Sequence, residues 1–412
     1  MGKKRLLNKS FLLIIICILI STTISGCSTG KESMSISNRE LTMEEKLEDF
    51  EYMYNILEEN YPFFKVNERV NGVDWLGNKN EYIKKIKQTK NDEEFVEKLN
   101  EIIGELNNGH THLLSRNEYL YYYKTYEYDG HFINRPWGKV LDDEKAKARY
   151  KLTKEDIESL EDDVYFEHTK SPYKTDIIIP DKVAYIKISE MDTHNLDEDN
   201  ERIREFLKSV KKYPKLIIDI RGNPGGDDRY WMYNIIQPLI KRPFTVNNFI
   251  FSRGGEYTKE FYRFKSPNLK KVSNLDKDLV KQFPKEVQSD FKYYTKSKTK
   301  IKPKKPIDFN GKIYLLVDKG VYSSAESFAS FAKASGFATL VGERTGGDGV
   351  GIDPLLFSLP NSGLVVRFSS QLSLNPDYTI NEEVQTTPHI KVNPIPHPDY
   401  RYDECIQTVI KD

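Results

Sequence analysis

Lys312-Ile-Tyr-Leu-Leu-Val317, then Asp318-Lys-Gly-Val-Tyr322, then Ser323-Ser-Ala-Glu-Ser-Phe-Ala329 is the stretch on which the fold turns. A short apolar run followed by a tight turn and a helix-forming segment is half of a βα unit. Ser323 stands where the strand gives way to the helix. Helix N-termini expose unpaired N–H groups and a partial positive charge, so an oxyanion formed there meets backbone donors at once. A hydroxyl at this position suits a nucleophile. The plainer role is an N-cap, with Glu326 three residues on closing a capping box.

Working outward, a second unit of the same kind precedes it. Val183 to Ile188 reads as a strand, and Leu196 to Tyr213 as an amphipathic helix carrying Ile203, Phe206, Leu207 and Val210. Leu216 to Ile220 reads as a short buried strand. A strand, helix and strand within about forty residues make a βαβ unit with parallel strands. Ile313 to Val317, Ser324 to Ser335 and Ala338 to Val341 repeat the arrangement. The expected class is α/β, with a parallel-rich sheet core and flanking helices (residues 181–398), preceded by a small helical domain (residues 40–113).

That helical domain shows in its caps. Thr42 with Glu45 opens a helix with Leu47, Phe50, Tyr54 and Leu57 on one face, and Pro62 stops it. Asn91 with Glu94 opens another, bearing Phe95, Leu99, Ile102 and Leu106. Asn107-Asn108-Gly109 is a helix stop. Residues 114–180, rich in Tyr, Lys and Asp, have no clean period and read as irregular connecting structure. The tyrosines Tyr119, Tyr121, Tyr122 and Tyr123 suggest an amphipathic surface or groove. The run Lys296 to Lys305 reads as a solvated loop, and residues 399–412 as a C-terminal tail.

The bulk composition narrows the function. The chain has 412 residues, with 62 basic against 62 acidic side chains. This balance argues against a nucleic-acid binder, which needs a basic field. Three cysteines are too few for a disulfide framework. Residues 1–26 read as an export signal: Lys3, Lys4 and Arg5 lead into an apolar run from Phe11 to Ile20, too short for a comfortable span. The run ends in Ile24-Ser-Gly-Cys27, similar to a bacterial lipobox. Lipidation of Cys27 would then hold the protein on the extracytoplasmic face of the membrane, with polar residues 27–39 as a tether.

Two further stretches carry chemistry. Leu106-Asn-Asn-Gly-His-Thr-His112 exposes imidazole just beyond a helix stop, and histidine is the usual general base near neutrality. A packing histidine is the plainer reading of His110. His110 and His112 have no partner at a metal-ligand spacing, so no metal is expected. Ile218-Asp-Ile-Arg221-Gly-Asn-Pro-Gly225-Gly226 runs a buried strand into a Gly-rich turn. It lacks the Gly-Lys-Ser/Thr ending of a phosphate loop and fits an oxyanion cradle better, the alternative being a tight βα turn.

Taken together, Gly-His-Thr, Ile-Asp-Ile-Arg-Gly-Asn-Pro-Gly-Gly, Ser-Ser-Ala-Glu and Leu-Val-Gly-Glu-Arg-Thr-Gly-Gly347 resemble the S41 serine peptidases, the tail-specific or C-terminal-processing proteases. The nearer likeness is to the branch of the tricorn core and the interphotoreceptor-retinoid-binding-protein repeats, over residues 90–395. The resemblance implies a peptidase acting on polypeptides without a cofactor. It makes Ser323 the nucleophile, gives Ser324 one oxyanion N–H and gives Gly225 or Gly226 the other. The branch with a lysine base would need it 25 positions on, where Asp348 stands, so His110 is the implied base and Asp348 is given no proton transfer. The resemblance implies a glutamate near the C-terminus to orient the histidine. Glu382 fills that slot, with Glu383 in reserve, although Glu383 and His389 depart from the pattern. No Gly-Leu-Gly-Phe-like loop marks a PDZ insert. A binding protein on the same scaffold and a small-ester hydrolase are the alternatives, the second disfavoured because Ser323 lacks a Gly-x-Ser-x-Gly context.

Overall fold

The structure is a computed structural model that describes residues 39–128, 132–161 and 171–412. The proposed signal and tether, with Cys27, lie outside the described residues.

The opening helices form as their caps predict. Thr42 and Glu45 close a reciprocal capping box on helix Met43–Asn60, and Asn91 caps helix Asp92–Gly104. Phe50, Met53, Leu57, Phe95, Leu99 and Ile102 are buried between them. Trp75 stacks on Tyr54 with ring centroids 5.0 Å apart and donates its indole N–H to the Ile102 carbonyl. This core does not stop at residue 113. It continues into strands Leu355–Ser358 and Val365–Phe368, so the helical segment and the later chain share one interior. Residues 39–412 form one compact unit.

The main sheet, among the described residues, runs in the order Ile390–Lys391, Thr339–Gly342, Lys312–Val317, Lys215–Asp219, Val183–Ile188, Tyr173–Ile179. Every neighbouring pair is parallel except the last. Both expected βαβ units are present, crossing over through helices Leu196–Ser209 and Ser324–Ser335. Side chains alternate across the central strand: Leu315 and Val317 face the core with Phe328 and Ala329, whereas Tyr314 and Leu316 face the opposite layer. That opposite layer includes helix Glu404–Lys411, whose Cys405, Ile406 and Val409 are buried. The segment read as a tail therefore covers one face of the sheet.

Two other expectations change. Within residues 114–180 the chain forms helices Arg116–Tyr123, Arg135–Leu141, Glu144–Arg149 and Lys154–Glu161, then strand Tyr173–Ile179. Ser115 and Glu118 close a capping box that the Tyr-rich composition obscured. Tyr119 is fully buried and stacks on Tyr150 at 4.3 Å, so it is core, while Tyr121 stays exposed. The Lys-rich run is a loop only over residues 302–305; its first part belongs to strand Tyr293–Ile301, which pairs antiparallel with Phe244–Ser252 over nine residues. Lys296, Lys298 and Lys300 are exposed and Ser297 and Thr299 half-buried. The alternation of Lys with Ser and Thr was a period-2 signal masked by charge.

Candidate active site

Ser323 closes the turn after strand Lys312–Val317 and sits at φ 55°, ψ −126°. An L-residue held there is strained, and such strain persists only where surroundings enforce it. The enforcement is visible. Tyr322 N–H donates to the Asn223 carbonyl (3.1 Å), Ser323 N–H to the Gly347 carbonyl (3.3 Å) and Gly346 N–H to the Val321 carbonyl (2.8 Å). Asp318 accepts from Gly222 N–H at 2.8 Å, lacing the Ser323 turn to the Gly-rich turn.

The capping-box alternative does not form. The Ser323 hydroxyl caps no helical N–H. Glu326 is buried and turned inward, accepting from Asn381 Nδ2 (2.8 Å) and Thr386 Oγ1 (2.6 Å). Burial pushes its carboxyl up to about 7 against those hydrogen bonds. Ser323 is half-buried and its hydroxyl is left for chemistry.

The Gly-rich turn needs its glycines. Gly225 has φ 114°, and a Cβ there would lie 2.6 Å from the Ser323 Cβ and 3.0 Å from the Ser324 nitrogen. Gly226 has φ 128°, and a Cβ there would meet the Met191 carbonyl oxygen at 2.3 Å. The N–H of Gly225 is already donated to Asn223 Oδ1 at 2.9 Å. The N–H groups of Gly226 and Ser324 have no backbone acceptor among the described residues. Arg221, from the same motif, is buried and held between Asp219 (2.6 Å) and Asp403 (2.8 Å), which ties the turn to the C-terminal helix.

His110 comes from a different part of the chain. Asn107, at φ 54°, turns the backbone out of helix Asp92–Gly104. The short strand His112–Leu113 then pairs with Val365–Phe368, His112 opposite Arg367. The His110 ring packs on the Tyr322 ring with centroids 4.7 Å apart, one residue from Ser323. His110 and Ser323, 213 positions apart in the chain (323 − 110), are brought near each other through Tyr322, whose ring packs on the imidazole and which precedes Ser323 in the chain. No hydrogen bond joins the Ser323 hydroxyl to the imidazole among the described residues. Such contacts often tighten only when substrate binds. His112 turns elsewhere, its Nε2 2.9 Å from Glu118 Oε1.

The carboxylate on the His110 ring is Asp348, not Glu382. Asp348 Oδ2 lies 2.9 Å from His110 Nδ1. The same oxygen accepts from Ser369 Oγ (2.5 Å) and Asn108 Nδ2 (3.0 Å). Burial raises its carboxyl, but the charge and hydrogen bond of His110, with those of Ser369 and Asn108, outweigh burial and hold it below its ordinary value. Glu382 stands one residue further out, its Oε1 accepting from Asn108 Nδ2 at 2.9 Å. Burial, and then the charge of Asp348, push Glu382 well above the usual carboxylate range. The reserve candidate Glu383 forms a surface pair with Arg69 at 2.6 Å. In the sequence, Asp348 reads only as standing where a lysine base would be needed. The clue in the sequence was an aspartate set among glycines in Gly346-Gly-Asp-Gly349, a turn that aims a short side chain; it takes φ 48°. Ser369 and Asn108 carried no local signal.

The arrangement is thus a strained serine, adjacent backbone donors, and an imidazole whose Nδ1 is held by an ionised carboxylate, leaving Nε2 to accept a proton. Comparisons with known proteins place the chain in a family and a fold. The model of peptidase family S41 matches residues 182–392, and that of the tricorn protease C1 domain matches residues 43–104. No curated protein matches the sequence. Among solved structures, a protein of Parabacteroides merdae ATCC 43184 classed as a peptidase is 20% identical, with a TM-score of 0.56 over 89% of this chain and 96% of its own. Mature CPAF complexed with lactacystin is 15% identical, with a TM-score of 0.55 over 90% and 97%. These two likenesses carry the fold. The family model, which spans more than half of the chain, carries the identity: the chain belongs to peptidase family S41, a family of serine peptidases.

Proposed function

We propose that the protein hydrolyses peptide bonds of polypeptide substrates through Ser323 and His110. His110 Nε2 takes the hydroxyl proton as Ser323 Oγ bonds to the carbonyl carbon, and the carbonyl electron pair moves to oxygen. The N–H groups of Gly226 and Ser324 receive that oxyanion; Gly225 lets the turn approach closely. The intermediate then collapses, the C–N bond breaks, and the proton on His110 passes to the leaving amine. Water, deprotonated by the same imidazole, hydrolyses the acyl-enzyme. Asp348 holds the ring in the tautomer with Nε2 bare and stabilises the imidazolium. Glu382, its carboxyl pushed up by burial and then by the charge of Asp348, braces Asn108. The observation that carries this reading is the Asp348–His110 contact set against Tyr322, beside a serine held at positive φ.

Covalent labelling by a serine-directed phosphonate, together with cleavage of an unfolded protein, tests it. Both should occur in the wild type and vanish in Ser323→Ala. Cleavage surviving in Ser323→Ala would overturn the assignment. The missing Ser323–His110 hydrogen bond favours a second reading, an inactive peptide- or lipid-binding protein on this scaffold. A wild type that neither labels nor cleaves would support that reading.

We further propose anchorage at the extracytoplasmic membrane face through lipidated Cys27. Among the described residues, no helix is long and apolar enough to cross a membrane. Cys27→Ala should move the protein from the membrane fraction to the soluble one; retention in the membrane would count against lipidation.

A further inference from the structure

A cavity of about 100 Å³ adjoins the site, walled by direct continuations of the three segments that build it. Asp228 lies two residues past Gly226. Ser327 and Phe331 lie one and two turns along the helix that begins at Ser324. Gly349 to Gly351 follow Asp348. The opposite wall comes from strand Tyr293–Ile301, which presents Ser297 and Thr299 to the cavity while its lysines occupy the solvent face. A space of this size suits one side chain and not a free organic ligand, for which several hundred Å³ is usual.

Asp228 is the only charged residue among those lining the cavity. It accepts hydrogen bonds from the Trp231 indole (3.0 Å) and the Ser327 hydroxyl (3.2 Å), both neutral donors. No ion pair joins it among the described residues. Burial raises its carboxyl against the pull of the Trp231, Ser324 and Ser327 side chains. A carboxylate so placed gains from a cation that brings its own charge into the cavity. The rest of the wall suits the stem of such a side chain: the Trp231 and Phe331 rings, with centroids 5.4 Å apart, offer an apolar surface to methylenes and aromatic faces to a cationic head.

We propose that this cavity receives the cationic side chain of a Lys or Arg flanking the scissile bond, with Asp228 as its counter-charge. The assignment rests on the peptidase reading and supplies its substrate class. An acidic side chain meets repulsion there, and an apolar one leaves Asp228 without a charge partner.

The test is cleavage of a randomised peptide library by the full chain, with product sequencing on both sides of the cut. Matched Lys and norleucine substrates then give a ratio of kcat/KM. The wild type should enrich Lys and Arg at one flanking position. Asp228→Asn should lower the Lys-to-norleucine ratio roughly tenfold or more. Thr299→Lys, which brings a competing cation into the cavity from an exposed strand and spares Asp228, should lower it in the same direction. Cleavage without Lys or Arg enrichment, or a ratio unmoved by both variants, overturns the cavity assignment and leaves the peptidase reading standing. Absence of any cleavage by the wild type overturns the peptidase reading and this assignment with it.

Discussion

The serine side and the histidine side of the candidate site are built by different means. Ser323 is presented by one continuous strand, turn and helix, residues 312–335, and its neighbours in the Gly-rich turn come from the adjacent parallel strand. His110 leaves a helix of the opening segment and is fixed by side chains from three other places: Asp348 from one loop, Tyr322 from the serine turn, and Asn108 bridging to Glu382. The first half is secured mainly by backbone hydrogen bonds and glycines. The second is secured by side chains meeting across the fold. Changes to the second half should therefore perturb protonation and orientation first, and changes to the first should perturb backbone geometry.

The largest effect should come from separating the two acids on the histidine side. Asp348→Asn should lower kcat about 10⁴-fold, because an amide at that site no longer enforces the productive tautomer. Glu382→Gln should cost less than about tenfold, since an amide oxygen at that place still accepts from Asn108 and Glu382 does not touch the imidazole. Steady-state kinetics of the pair decide the matter; equal losses would return Glu382 to the role the sequence alone suggested.

Next is the serine side. Gly225→Ala forces a Cβ to within 2.6 Å of the Ser323 Cβ at φ 114°. The turn must shift, and turnover should fall about 10²-fold or more with a folded protein by circular dichroism. Near-normal kcat would mean that the two turns are less tightly interlocked than their hydrogen bonds imply.

The smallest effect is on stability. Glu326 anchors the serine helix from within, and its folded pKa of about 7 exceeds the unfolded value of 4.5. A raised carboxyl means that the native state holds the proton longer. Its contribution is fully present below pH 4.5 and is lost as pH rises toward 7. The loss is roughly 3 kcal/mol. Urea melts across this range should show the decline, and Glu326→Gln should flatten it. An unchanged slope in Glu326→Gln would assign the pH dependence to other groups.

Much of the serine half was legible because its determinants are local. The apolar strand, the turn residues and the helix that follows are contiguous, and the two βαβ units follow from periodicity and connection length. Charge hid the strand Tyr293–Ile301, and the Tyr-rich composition hid the capped helix at Ser115. The acid on the imidazole is not legible in the sequence for another reason. Glu382 and Asp348 both reach Asn108, and which of them touches His110 depends on how a loop at positive φ packs against a helix stop more than two hundred residues away.

The amino-acid order by itself determined the parallel-rich sheet, a serine at a helix start, the glycines that let a second turn approach it, and a histidine beyond a helix stop. Tertiary structure alone decided that Asp348 holds the imidazole, that Glu382 is buried beside Asn108, and that Asp228 floors a cavity along the serine helix. The reason is physical. Backbone conformation follows from neighbours in sequence, whereas protonation and charge partnership depend on burial and on which side chains the completed fold brings within hydrogen-bond reach.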